Sequence, residues 1–164
     1  MEEIDLLVKV FGIEHIQFVD DHMTVNNLHF KGLLQGLLKH KFPITWSASN
    51  FSVNTLRQED VSLLKETNFV GTSVAVESGS PRIQKIIKVK PKTDLNKVRE
   101  VVQWFIQLNM PVRALFMIGF PEERYEDIQM TFDLIADLRA DWNQICITMP
   151  FPKTELYHNA IRDK

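Results

Sequence analysis

Two adjacent carboxylates, Asp20 and Asp21, follow a short apolar run and stand directly before His22. Neighbouring carboxylates repel each other unless a cation lies between them, so the pair indicates a bound ammonium group or a metal ion. An aspartate after a strand also caps a turn or the next helix. The residues alone leave the ligand and the capping interpretations open.

The most informative local pattern is the run Glu77-Ser78-Gly79-Ser80-Pro81. Ser80 is a preferred N-cap and Pro81 a preferred first helical residue, so a short helix is predicted to begin directly after a strand. Free amides at its start would suit an anionic ligand group, and Glu77 would accept hydrogen bonds from hydroxyls or an amine. A capped helix beside a partly buried glutamate explains the same residues without a ligand.

Three other apolar runs end in groups that suit a ligand. These further candidate binding residues are Ser47, Ser49, Ile118, Gly119, Pro121 and Thr148. Small polar residues donate and accept hydrogen bonds without bulk, and a glycine before a proline lets the backbone pass close to a ligand, although ordinary linkers use the same residues. Arg113, near the start of one run, would pair with an anion only if it points into the site.

Two kinds of apolar segment alternate along the chain, one with helical spacing and one short and β-branched. Turn points recur about every 30 to 40 residues, the size of one strand–helix unit, at Gly12, Lys41, Asn68, Asn109 and Asp141. The pattern predicts an α/β fold with about five parallel strands and flanking helices, either a doubly wound sheet or a partial TIM-like (βα) barrel. In both folds ligands bind beyond the carboxyl ends of the strands, where the polar groups lie.

Composition limits the class of protein. The chain has 164 residues, of which 45% are hydrophobic and 24% charged, and a formal charge of −2. This predicts one domain over residues 1–164 and no membrane partner, and it leaves nucleic-acid binding unsupported without excluding it. The expected partner is a small-molecule or unknown substrate. The single cysteine, Cys146, excludes a disulfide framework and an iron–sulfur cluster held wholly within the chain, and its apolar strand predicts that it is buried. We expect a cytoplasmic protein.

The chain opens on an amphipathic helix that no strand precedes. A helix of this kind needs a sheet to cover its apolar face, so we expect a chain truncated between a first strand and its helix. The sheet would then present an open edge, and open edges pair with other strands. Self-association through that edge is therefore a further expectation.

Taken in order, four segments of the chain resemble the radical S-adenosylmethionine (SAM) superfamily. The segments are Ile16–Asp21, Val76–Ser80, Phe116–Glu123 and Pro150–Tyr157. The likeness is to the Fe–S oxidoreductases that often carry a cobalamin-binding domain ahead of the barrel, and it extends to about Ile161. The resemblance depends on the order and spacing of the four segments more than on any single motif. The family's Gly-Leu-Pro-Gly-Glu-Thr is altered here to Gly119-Phe120-Pro121-Glu122-Glu123-Arg124.

The resemblance implies a partial barrel that holds SAM against a [4Fe–4S] cluster and cleaves it reductively to a 5′-deoxyadenosyl radical. It implies that Asp20 and Asp21 meet the methionyl amino group, Glu77 and Ser78 the ribose or methionine, and Ile118-Gly119 the adenine. The family's cysteine triplet is absent and would lie just before Met1. The chain alone is therefore expected to be inactive, with no catalytic or metal-ligating residue of its own, and cobalamin is a further expected cofactor of an upstream domain.

Two other functions compete with this hypothesis. A divalent-metal-dependent barrel lyase or hydrolase would use Asp20, Asp21, His22 and Glu77 around the cation. A non-catalytic βα domain would use the same fold only as a binding scaffold, because one fold hosts many functions.

Overall fold

Helices and strands alternate along the chain, as the apolar periodicity predicts. The computed structural model describes residues 1–87 and 93–162. The strands are β1 (His15–Phe18), β2 (Thr45–Phe51), β3 (Phe69–Glu77), β4 (Val112–Ile118) and β5 (Trp142–Ile147). The helices are α1 (Glu2–Phe11), α2 (Asn27–His40), α3 (Gln58–Glu66), α4 (Pro81–Ile86), α5 (Leu95–Gln107), α6 (Tyr125–Leu138) and α7 (Glu155–Arg162). Within these ranges no helix has both the length and the apolar character required to cross a bilayer.

The strand order decides between the two predicted architectures. All neighbouring strands are parallel, and the sheet runs β1-β2-β3-β4-β5 in chain order. A doubly wound sheet reverses its order at a switch point, whereas a (βα) barrel adds each strand beside the previous one. The sequential order therefore confirms the partial TIM-like barrel and excludes the doubly wound sheet.

The two faces of the sheet differ in chemistry. On one face, every second side chain of the strands packs with the helices into a continuous apolar core. Strand β2 contributes Trp46 to this core, and β4 contributes Phe116. The opposite face, which we call the open face, carries mainly polar side chains. Its members include His15, Gln17, Ser47, Ser49, Ser73, Arg113 and Gln144. A polar face without covering helices corresponds to the interior of an incomplete barrel.

Trp46 is the largest fully buried side chain, and it fixes β2 against the end of α3. Its indole Nε1 donates to the carbonyl oxygen and to the hydroxyl of Thr67, both at 3.0 Å. Its ring packs edge-on against Phe69 at 4.7 Å and against Phe18 at 5.6 Å between centroids. One side chain thus joins three strands and satisfies its only polar group.

The predicted turn points mostly mark the ends of helices. Gly12, Lys41, Asn68 and Asn109 have φ of 63°, 49°, 59° and 50°, the left-handed conformation that terminates a helix. After α6 this conformation falls on Arg139 instead of Asp141. The Asp141 carboxylate accepts a hydrogen bond from the amide of Val112 at 2.9 Å, so it ties β4 to the start of β5.

Strand β5 is the least covered element of the sheet. Trp142 and Ile147 are 65% and 73% exposed, and α7 contributes no buried residue. Cys146 is exposed, so the prediction that it is buried is wrong. The apolar composition of the strand is real, but among the described residues no helix packs closely over it. Helix α7 itself was not predicted, because the prolines around Pro150 and Pro152 indicate a loop.

Candidate functional site

Glu77 ends β3 at the carboxyl edge of the sheet. Its φ of 68° is unusual for a residue with a side chain, and such strain persists only where the surrounding structure imposes it. The side chain is half-buried, and burial raises the pKa of its carboxyl group. Within residues 1–87 and 93–162 no group donates a hydrogen bond to this carboxylate. Glu77 is therefore an available acceptor in a partly desolvated position.

The turn after Glu77 is held from behind by helix α6. The Ser78 hydroxyl lies 3.2 Å from the Thr131 hydroxyl, which also accepts the Gly79 amide at 3.0 Å. The side-chain amide of Gln84 donates to the carbonyls of Val76 at 2.6 Å and Ser78 at 2.7 Å. Ser78 and Gly79, both candidate binding residues, thus have their polar groups engaged within the protein, where they fix the backbone that presents Glu77.

The start of α4 is occupied by the chain's own side chains. The Ser80 hydroxyl accepts from the amides of Arg82 and Ile83 and donates to Asp127 at 2.5 Å. The guanidinium of Arg82 hydrogen-bonds to Asp127 and, with Ser80, holds the pKa of that carboxyl well below its usual range. The prediction of free amides for an anionic ligand is therefore wrong, because two of these amides already donate to the Ser80 hydroxyl, which is itself bonded to Asp127.

The end of β4 forms an open bend. Gly119 has φ of 87°, and an added Cβ would meet only Ile147 and the Thr148 amide, at 3.5 and 3.9 Å. The Glu123 carboxylate accepts from the amides of Gly119 and Phe120, which closes the turn that contains Pro121. The sequence did not single out Glu123, although its spacing of three residues from Phe120 is that of a capping carboxylate.

Two buried oxygens beside this bend have no hydrogen-bond partner in the described part of the chain. They are the Glu123 Oε1 and the Thr148 hydroxyl. The Thr148 amide donates to the Ile118 carbonyl at 2.8 Å, so this residue lies beside the Gly119 bend. Buried polar atoms are rarely left unpaired in native proteins, which makes a bound ligand or water the physical expectation here.

The remaining candidates lie on the open face or at its rim. Asp20 and Asp21 are exposed in the turn after β1. On β2, the Ser47 hydroxyl lies 3.1 Å from the His15 Nε2, and the Ser49 hydroxyl accepts from Gln17 at 3.5 Å. The five strands pair in parallel, so their carboxyl ends meet at one edge of the sheet. Glu77 ends β3 at that edge, and Asp20, Asp21, Gly119 and Thr148 follow their strands there.

The alternative metal centre does not form. Among the described residues no three His, Cys, Asp or Glu side chains lie close enough together to hold a metal ion. Asp20, Asp21, His22 and Glu77 are all within those residues, so they do not make a shared coordination sphere. The geometry therefore gives no support to the metal-dependent lyase or hydrolase.

The raised pKa of Glu77 has a consequence for stability that Glu77→Gln tests. A folded-state pKa above the unfolded one means that the folded protein binds more protons, so this group lowers stability as pH rises from about 4.5 through its folded pKa. We expect Glu77→Gln to raise the melting temperature by about 1–3 °C at pH 7. The gain should disappear at pH 4, as measured by thermal melts across that range.

The control for this effect is Glu14→Gln, which removes an equal charge from an exposed position. Surface substitutions of this kind change stability little, so its melts should follow the wild type at every pH. If both variants shift the melting temperature equally, or if Glu77→Gln gains no stability at pH 7, the carboxylate is not destabilised by its position.

Comparison with known proteins identifies the family. The profile of the radical SAM superfamily matches residues 1–135. The chain belongs to this superfamily. An uncharacterized methyltransferase of Pyrococcus horikoshii is 29% identical over 163 residues, which are 98% of this chain and 34% of that protein. The bacteriochlorophyllide d C-12(1)-methyltransferase of Chlorobaculum tepidum is 27% identical over 90% of this chain and 31% of its own length.

A solved radical SAM structure has the same fold. The radical SAM methyltransferase TsrM from Kitasatospora setae, solved with cobalamin and a [4Fe–4S] cluster bound, matches with a TM-score of 0.83. The match is 16% identical and covers 92% of this chain and 30% of TsrM. The chain therefore has the radical SAM (βα) architecture, and it spans about a third of the length of these relatives.

Proposed function

We propose that this chain is the cofactor-side part of a radical SAM enzyme, which binds SAM at the carboxyl edge of its sheet. The whole protein would cleave SAM reductively to methionine and a 5′-deoxyadenosyl radical. One observation carries the proposal in a chain of this superfamily. Glu77 is an acceptor with no donor among the described residues, and the Gly119 bend lies beside the unpartnered buried oxygens of Glu123 and Thr148, at the same edge of the sheet.

Each part of SAM has a suitable group along this edge. The Glu77 carboxylate would accept hydrogen bonds from the ribose hydroxyls, and the exposed Asp20 and Asp21 would receive the methionyl ammonium. The backbone at Gly119 would lie along the flat adenine, since no side chain stands over that bend. The Thr148 hydroxyl would gain a partner from the adenine nitrogens. Ser47 and Ser49 would add neutral hydroxyls on the open face.

The residues present do not fit a [4Fe–4S] cluster. Such clusters are held by several cysteine thiolates, and this chain contains only Cys146. We therefore assign no residue of this chain to the cluster and derive no step through it. Cobalamin is proposed as a second cofactor of the whole protein because TsrM binds it, and again no residue here is assigned to it.

Methyl transfer to a small molecule is the reaction that we propose for the whole protein. Two curated relatives are named as methyltransferases, and TsrM is a methyltransferase as well.

Self-association is a separate proposal, which rests on strand β1. In the described residues β1 pairs only with β2, and an unpaired edge offers backbone groups to another strand. Sedimentation of the purified chain at two concentrations tests that point.

The decisive experiment uses the protein extended upstream to include a Cys-x-x-x-Cys-x-x-Cys segment. After anaerobic reconstitution we expect a brown protein that, once reduced, converts SAM to 5′-deoxyadenosine, measured by mass spectrometry. Glu77→Gln should keep the cluster absorbance but weaken SAM binding at least about tenfold, the effect of a lost charged hydrogen bond. Glu14→Gln should behave as the wild type. A colourless protein, or a brown one that leaves SAM intact, would overturn the proposal.

A further inference from the structure

A second recess lies on the open face and shares only Ser47 and Ser49 with the residues proposed above to bind SAM. It has a volume of about 590 Å³ and lies toward the amino-terminal half of the strands. Every strand of the sheet contributes to its lining, which includes Gln17, Ser49, Ser73, Arg113, Trp142 and Gln144. A volume of this size accommodates a small organic molecule.

Among the residues that the structure describes, Arg113 is the only cation that lines this recess. It pairs in register with Ser73 on β3 and with Trp142 on β5, so its side chain rises between a hydroxyl and an indole. The guanidinium carbon lies 5.9 Å from the centroid of the Trp142 ring, within the range of a cation–π contact. The sequence left the direction of Arg113 open, and the structure directs it into the open face.

The Arg113 guanidinium has no anionic partner in the described part of the chain, since no carboxylate lies within 4.0 Å of it. Asp141 lines the same recess, but one of its oxygens accepts the Val112 amide. The other lining side chains named above are uncharged. A lone cation in a polar concave site favours a ligand with one matching negative charge.

Glu77 ends β3, and the register shift before it sets it opposite Phe116, three residues beyond Arg113 on β4. At about 3.3 Å per residue this places it roughly 10 Å from the level of Arg113. The sheet thus has a cation near the amino ends of its strands and a carboxylate at their carboxyl edge. A molecule anchored at Arg113 would extend toward the edge at which SAM is proposed to bind.

We propose that this recess binds a carboxylate attached to a flat ring, with Arg113 as the anchor and Trp142 as the stacking surface. The guanidinium fork matches a carboxylate through two parallel hydrogen bonds, and the exposed indole offers an apolar face to a ring. A single cation matches a carboxylate better than a doubly charged phosphate. This ligand would be the substrate of the proposed methyl transfer, a role that rests on the proposed function, whereas the binding site itself does not.

The test titrates the 164-residue chain with 2-naphthoate and with its neutral analogue 2-naphthamide, observing the Arg113 Nε–H and Trp142 indole N–H resonances by NMR. We expect 2-naphthoate to shift both resonances and to bind at least about tenfold more tightly than the amide. Arg113→Gln should remove that preference, and Arg113→Lys should retain only part of it. Arg99→Gln, which removes an equal charge from the outer surface of α5, should leave binding unchanged.

Three results would overturn the site. They are equal affinity for the acid and the amide, unchanged naphthoate binding by a folded Arg113→Gln variant, and tighter binding of inorganic phosphate than of 2-naphthoate. The assay contains neither cluster nor SAM, so its outcome is independent of SAM cleavage. If naphthoate binds through Arg113 but the extended protein leaves SAM intact, the result contradicts the proposed function and supports this binding site.

Discussion

Trp46→Ala is expected to lower the free energy of unfolding by about 3–5 kcal/mol, the usual cost of truncating a buried aromatic side chain. The indole is fully buried, and its loss would open a cavity between Phe18 and Phe69. It would also leave the Thr67 carbonyl without the indole donor. Because domains are stable by only about 5–15 kcal/mol, this single change removes a large share of the total. Urea denaturation followed by circular dichroism measures it.

Two control variants separate the contributions. Trp142→Ala removes the same side chain from a position that is 65% exposed, so its cost should stay within about 0.5 kcal/mol. Trp46→Phe keeps most of the packing and loses the indole hydrogen bonds, for which we expect an intermediate cost of about 1–2 kcal/mol. Equal losses for the two alanine variants would show that Trp46 does not anchor the core.

Gly79→Ala is expected to destabilise the protein by about 2–3 kcal/mol, because the added methyl group meets backbone that has no room to move. Its Cβ would lie 2.4 Å from the Met130 carbonyl oxygen and 2.7 Å from the Thr131 Cα. Relief of this overlap requires β3 and α6 to separate, which would break the Gly79–Thr131 hydrogen bond. We expect the melting temperature to fall by roughly 4–12 °C for a domain of this size.

Gly32→Ala is the matched control for that prediction. Gly32 lies inside α2, and an added Cβ would meet nothing within 4 Å. Alanine is the better helix former, so this variant should gain about 0.5–1 kcal/mol. The same methyl group is therefore expected to change stability in opposite directions at the two glycines. A loss at Gly32 or no loss at Gly79 would contradict the packing described here.

Local signals predicted the elements of this fold well. Helical spacing of apolar residues, Pro81 after the Ser80 cap and left-handed residues such as Asn68 and Asn109 act within a few positions of the chain. The choice between a barrel and a doubly wound sheet depends on which strands are neighbours, and no local pattern encodes that. Cys146 was misjudged for the same reason, because burial depends on what packs over a strand.

The candidate site was predictable only as far as its backbone positions. The run after β3 marked Ser78, Gly79 and Ser80, but their partners Thr131 and Asp127 come about 50 residues later in the chain. Pairings over such separations follow from tertiary packing, so the sequence offered ligand amides where the structure has a buried carboxylate. The direction of Arg113 likewise depends on strand pleat and register, which composition does not reveal.

The exposure of Cys146 makes this chain easy to label at one defined position. The residue is the sole thiol, and it lies on the same face of β5 as Gln144, opposite Met117 in register. A thiol-reactive fluorophore or spin label attached there would sit beside the barrel interior without competing sites elsewhere. A change in this one spectroscopic signal would report that solvent enters the barrel interior, that added strands close the barrel, or that a small molecule binds inside it.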